Sequence, residues 1–156
     1  MQRRELRFAK LADISSDIDQ LLTKGYQRTG KWDLSQICEH LADWMIFPID
    51  GFPKAPLFVA CILGVMRVTL GKSLFKKFVR DQRMSVNQPT DPATVHNSTQ
   101  DSQASIDRLR KAIDRLASHR GPIHPSPLFG KMNYDELVSL QLAHCAHHLS
   151  FLVPNG

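Results

Sequence analysis

The sequence predicts an all-α domain, a four-helix bundle with a shorter accessory segment, and three observations carry that expectation. Apolar residues recur at helical spacing in several segments, no convincing multi-strand pattern occurs, and the connections permit antiparallel neighbours. At 156 residues, 42% hydrophobic and 22% charged, the chain is long enough for a sizeable core, and residues 1–156 read as one domain without repeats or low-complexity tracts.

The first helix is signalled by Leu11, Ile14, Ile18, Leu21 and Leu22, with Gly25 as its stop. A second starts after Asp33, whose pairing with Gln36 three residues on has the form of a capping box. Along it Ile37, His40, Leu41, Trp44 and Phe47 share a face, and Pro48 with Gly51 is expected to close it. A third helix is expected over 56–80, with a bend or break near Gly71, because interior glycines weaken a helix. Residues 82–97, with Pro89 and Pro92, read as an exposed loop bordering a cleft. Ile106, Leu109, Ile113 and Leu116 mark the next helix, expected over 99–119, and Asp107 with Lys111 forms an i, i+4 pair on its wet face. After a proline-rich connection, Asn133 and Glu136 form a second cap signal for a last helix expected over 133–153.

Composition excludes several functions. A formal charge of +5 is modest, and apart from a cluster of Lys72, Lys76, Lys77, Arg80 and Arg83 the basic residues are scattered, so no nucleic-acid partner is expected. That cluster reads as a solvated helix end rather than an anion site. Three cysteines, Cys38, Cys61 and Cys145, without a CxxC, suggest neither a disulfide framework nor a thiolate zinc cluster and fit a reducing cytoplasm. Residues 1–10 lack the apolar core of a signal peptide. The uncharged run at 57–66 is too short to span a bilayer, which needs roughly 20 apolar residues, so it reads as a buried helix with no membrane contact.

The last helix carries the chemistry. Leu137, Leu140, His144, His148 and Phe151 follow 3, 4, 4, 3 spacing and form one stripe, so two imidazoles one turn apart are expected to point into a core. Such a pair can converge on one ion, and His40 on the second helix is the best third ligand. Imidazole suits zinc, nickel, iron or copper, and three protein ligands with an open position describe a reactive site. His147 sits about 60° from His144 on the wheel and competes with His148, whose spacing stacks it better on His144. Cys38 and Cys145 are rotated away from their neighbouring histidines and read as packing residues. Glu39, Asp43 and Gln36 are candidates to support His40. His96, His119 and His124 fall in loops or at helix ends, while Trp32, Trp44, Phe129 and Phe151 read as core or pocket walls. The bland alternative is that the histidines only pack.

The stretches GYQRTGKWDLSQICEHLADW, DGFP, HPSPLFGKMNYDEL and LAHCAHHLSFL, in this order, resemble a branch of the DinB-like, or YfiT-like, superfamily. The resemblance implies an up-down-down-up four-helix bundle, often a homodimer, with one histidine on the second helix and an HxxxH pair on the last core helix binding a divalent metal. By position these are His40, His144 and His148. It also implies metal-dependent enzymes that use a low-molecular-weight thiol, although this chain has His148-Leu149-Ser150-Phe151 where enzymatic branches commonly continue HRGQ. The expected function is therefore a cytoplasmic metal-binding protein acting on a small molecule as a transferase or hydrolase, with no catalytic residue assigned. The alternative is a non-catalytic small-ligand or interaction module, and a third reading is an anion-binding or membrane-surface protein using residues 72–83.

Overall fold

The computed structural model describes residues 2–84, 90–97 and 102–156. It is mostly helical: α1 (Leu11–Lys24), α2 (Leu34–Asp50), α3 (Leu57–Thr69), α4 (Gly71–Asp81), α5 (Gln103–Ser118) and α6 (Tyr134–Leu149), with a 3₁₀ turn at Pro92–Thr94. Two short strands, β1 (Tyr26–Arg28) and β2 (Leu152–Pro154), pair antiparallel with Gln27 opposite Val153.

The two expected capping boxes are present. The Asp33 carboxylate accepts from the Gln36 N–H (2.8 Å) while the Gln36 side chain accepts from the Asp33 N–H (3.1 Å). Asn133 and Glu136 make the same exchange at 2.9 Å each way. These bonds satisfy orphan donors of the first turn and fix where α2 and α6 begin. Gly25, at φ 67°, closes α1 as expected.

One apolar core draws Ile14, Ile18 and Leu21 from α1, Leu34, Ile37, Leu41 and Met45 from α2, Ile106, Leu109 and Leu116 from α5, and Leu137 and Leu149 from α6. Each fully buried Leu or Ile contributes roughly 1.5–3 kcal/mol. The stability of the chain therefore resides in these four helices. The side of α4 that carries Phe78 packs on Leu140 and Ala143 of α6, with Phe75 and Phe129 beside it.

The structure bears out one expected break and corrects four expectations. Gly51 caps α2 as expected, but Pro48 does not end the helix, which continues through it to Asp50. A proline in the last turn loses only its own N–H, aimed at the carbonyl four residues back, and that Trp44 oxygen instead accepts from Gln141 Nε2 of α6 (2.8 Å). The stretch over 56–80 is broken at Leu70 into two helices bent by 77°, the break expected near Gly71. The helix expected over 133–153 stops at Leu149, because Leu152–Pro154 takes the edge of β1, so Phe151 leaves the helical stripe. α6 is also not a two-sided amphipathic helix: it touches α1, α2 and α4 and buries side chains around most of its circumference. Finally, the uncharged run at 57–66 is not buried, since α3 turns away from the core at the bend and has no buried residue. The expected start of α5 at Thr99, and Pro89 in the preceding loop, lie outside the described residues.

Candidate metal centre

His40 lies in the middle of α2, and His144 and His148 lie in the last two turns of α6. The two caps fix the start of each helix, and the Gln141 bond to Trp44 O ties the helices together beside the histidines. The sequence-predicted ligands are thereby brought to one place. One ring nitrogen from each of His40, His144 and His148 lies within 4.8 Å of the other two. His40 Nε2 and His144 Nε2 are 3.3 Å apart. Two nitrogens each bonded to a tetrahedral zinc at about 2.0–2.1 Å lie about 3.3–3.4 Å apart, so this edge already has the length that an ion requires.

The tautomer of His40 follows from its neighbours. Its Nδ1 lies 3.0 Å from Thr94 Oγ1 and 3.1 Å from Thr94 O. The Thr94 hydroxyl donates its proton to Asp91 O (2.9 Å), so towards His40 it can only accept. Nδ1 of His40 therefore carries the proton and donates, which leaves the Nε2 lone pair directed at His144 and His148.

Aromatic rings wall the cluster. Trp32 stacks on His148 with centroids 5.5 Å apart and planes within 9° of parallel, and Trp44 meets His144 edge-on at 5.6 Å. Their apolar surfaces keep the imidazoles neutral: burial lowers the pKa of His40 to about 4, partly opposed by its bond to the Thr94 backbone, and burial lowers His144 and His148 well below the usual imidazole value. Neutral imidazoles are the ligating form.

Comparison with known families matches residues 1–155 to the family described as "Protein of unknown function (DUF1569)". The chain belongs to that family. Neither the curated proteins nor the solved structures yield a match.

In this DUF1569 protein the remaining histidines are not members of the ligand cluster, although the His147 ring meets His148 edge-on at 4.9 Å. His147 Nδ1 accepts from the Met84 N–H (3.1 Å) and faces the Arg3 guanidinium at 3.2 Å, so its lone pair is already engaged. Burial and the nearby Arg3 charge lower its pKa to about 4. His96 Nε2 contacts Asp43 (2.7 Å), and Arg108 bridges Asp43 and Glu39 (2.5 and 2.6 Å), so these two acids are engaged in a network beside His40, and the ligand cluster holds only the three histidines. Gln36 donates to His96 O and caps its helix, and so does not support His40 directly. His119 bonds locally to Pro122 O, and the His124 backbone N–H bonds Pro48 O. Cys38 and Cys145 are buried packing residues, and burial raises the Cys145 thiol far above its usual range. Trp32 and Trp44 wall the cluster, whereas Phe129 packs on Phe75, and Phe151 meets His147 and Arg3.

The residue that sequence reasoning missed is Thr94. It lies in the stretch read as an exposed loop, yet it is fully buried, brought against α2 by the 3₁₀ turn. The Asp91-Pro92 pair, a capping side chain followed by proline, was the available signal for that turn.

Proposed function

We propose that this DUF1569 chain is a divalent-transition-metal protein whose ion is held by His40, His144 and His148, and that it acts as a metal-dependent transferase or hydrolase on a small molecule. The single observation that carries the reading is the 3.3 Å separation of two Nε2 atoms, one of them with its lone pair fixed by Thr94. Zinc, nickel and iron all suit three imidazoles. The proposal includes membership of the DinB-like superfamily, with α1, α2, α5 and α6 as an up-down-down-up four-helix bundle. Support for it lies in the shared core of those helices and in the HxxxH pair on α6 facing a lone histidine on α2.

A metal held by three ligands would supply Lewis acidity at an open position, lowering the pKa of a bound water or low-molecular-weight thiol. The protein's part is positional. Thr94 holds the proton on His40 Nδ1, Trp32 holds the plane of His148, and the two tryptophans exclude bulk water from the imidazole faces. No side chain in the cluster is assigned as a general acid or base.

The test is elemental mass spectrometry of tag-free protein beside the His144→Ala variant. About one transition metal per chain in the wild type and little in the variant is expected. A wild type without metal after supply of zinc, nickel and iron sinks the proposal. The second reading, a non-catalytic small-ligand or interaction module, is favoured by one fact: 3.3 Å is also the length of an N–H···N bond from His144 to His40, which needs no ion.

A further inference from the structure

Among the described residues, α3 is the one α-helix with no buried side chain. Leu57 and Val68 are each 82% exposed and Phe58 is 70% exposed, with Ile62 and Val65 exposed as well. On a helical wheel these five and Cys61 fall within an arc of about 140°. A scattered exposed leucine is ordinary in a folded protein, but a contiguous apolar stripe along a whole helix marks a surface that something covers.

The charge around the stripe says what covers it. From Gly51 to Arg83 the chain has seven basic residues and one acid, Asp81. Lys77 and Arg80 share that acid, and among the described residues Lys54, Arg67, Lys72 and Lys76 have no carboxylate partner. Unneutralised cations therefore stand at both ends of α3 and along α4. The α4 platform is firm, because Phe78 packs on Leu140 and Ala143 of α6 and Gly71 sits against the Leu128 carbonyl.

A second copy docking through this face would bring two cationic clusters together with almost no carboxylate to offset them. An anionic lipid surface meets both features: acyl chains take the apolar stripe and headgroups take the lysines, whose stems can extend along the interface. Among the described residues no single helix is long and apolar enough to cross, α3 being about 20 Å long against a hydrocarbon core of about 30 Å. α3 and α4 together have the length and composition, but they are bent by 77° and α4 is seated on α6 through Phe78, which favours α3 lying along the surface. We infer that α3 and the basic flank of α4 form a docking surface for an anionic bilayer, with α3 lying in the plane of the interface. The expectation of no membrane contact rested on burial of residues 57–66, and α3 is not buried. The inference does not depend on the metal reading.

Cys61 allows a direct test, because it is exposed on the apolar arc while Cys38 and Cys145 are buried. The full-length protein, labelled at Cys61 with an environment-sensitive fluorophore, is mixed with phosphatidylcholine vesicles with or without about 30% phosphatidylserine. The expected result is a blue shift and co-sedimentation with the anionic vesicles alone, reversed by salt. Ile62→Asp and Val65→Asp, both at exposed positions, should each reduce vesicle partitioning by at least about tenfold with the helical circular dichroism unchanged. The double variant Lys72→Glu/Lys76→Glu should also lose binding. No shift on anionic vesicles at low salt overturns the inference, as does binding that survives both aspartate variants. A wild-type dimer by light scattering that Ile62→Asp makes monomeric, with no vesicle binding, assigns the face to a second copy and overturns it too.

Discussion

Thr94 decides which nitrogen His40 offers. Its hydroxyl is committed as a donor to Asp91 O, so the His40 Nδ1 proton has to point at Thr94 and the Nε2 lone pair has to point at the other two histidines. Thr94→Val removes the hydroxyl but keeps the backbone oxygen 3.1 Å from Nδ1, so the ring loses one of two restraints. Partners of this kind tune affinity by about 10–100-fold, and with one restraint left the lower end, about tenfold weaker zinc binding, is expected. Competition with a chromophoric chelator measures it, and an unchanged affinity would mean that the carbonyl alone sets the tautomer. At this scale the sequence was legible where residues sit on a periodic helix. His40, His144 and His148 could be placed because 3.6-residue geometry converts spacing into direction. Thr94 could not be: it lies 54 residues from His40 in a segment with no period, and its position depends on how a 3₁₀ turn folds back onto α2. His147 and His148 are separated by their partners rather than by the wheel, since Met84 and Arg3 engage His147 from segments far away in sequence.

The break between α3 and α4 depends on close approach at one residue. A Cβ on Gly71 would lie 2.8 Å from the Leu128 carbonyl oxygen, a backbone atom that cannot rotate away, whereas a Cβ on Gly64 would meet nothing within 4 Å. In the sequence each of the two glycines costs about 1 kcal/mol against alanine in a helix, and the bend or break was expected near Gly71. The structure separates them. Gly64→Ala should stabilise the chain slightly, by up to about 1 kcal/mol less whatever part of α3 is uncoupled from global unfolding. Gly71→Ala should destabilise it by about 1–3 kcal/mol, because the overlap forces α4 off its seat by more than the helix propensity returns. Urea midpoints of the two variants beside the wild type test the pair, and equal shifts would show that the contact with Leu128 yields freely. The ends of α1, α2 and α6 illustrate the same division between local and distant causes. Gly25, Asp33 with Gln36, and Asn133 with Glu136 are local signals and were readable. Pro48 inside α2 was misread because its tolerance depends on Gln141, which reaches the freed Trp44 oxygen from another helix. The strand at Leu152–Pro154 was invisible for the same reason, its partner being Tyr26–Arg28 at the other end of the chain.

Across the whole molecule the helical class followed from periodicity, but periodicity says only that a residue faces something, not whether that something is core, cleft or solvent. The uncharged run that became α3 has the composition of a core helix and the surroundings of a surface one. Of one stripe on α6, His144 and His148 line the histidine cluster while Leu137 joins the main core and Leu140 packs on Phe78. Placing so many neutral imidazoles inside one fold has a consequence for the global equilibrium. His40 and His147 titrate at about 4 in the folded protein, and His144 and His148 lie well below their usual value, all with burial as the largest cause. In the unfolded chain they titrate near 6.5. As pH falls below about 6.5 the unfolded state takes up protons that the folded state refuses, so stability is full above about pH 7 and declines as pH drops towards about 4. For His40 and His147, 2% and 7% exposed, the loss between pH 7 and 5 is on the order of 1–2 kcal/mol each. The surface pairs of Asp50 with Arg115 and Asp81 with Arg80 do not obscure this window. Their hydrogen bonds lower the carboxylate pKa values, so what they contribute is lost only below the ordinary carboxylate range. Urea unfolding of chelator-treated protein should give a clearly lower midpoint at pH 5 than at pH 7.5, with net proton uptake on unfolding at the lower pH. A bound metal should steepen the decline, because each ligand must stay unprotonated to hold it. A midpoint independent of pH across this range would mean that the imidazoles are protonated or solvated in the fold, and the neutral three-histidine cluster would be lost with it.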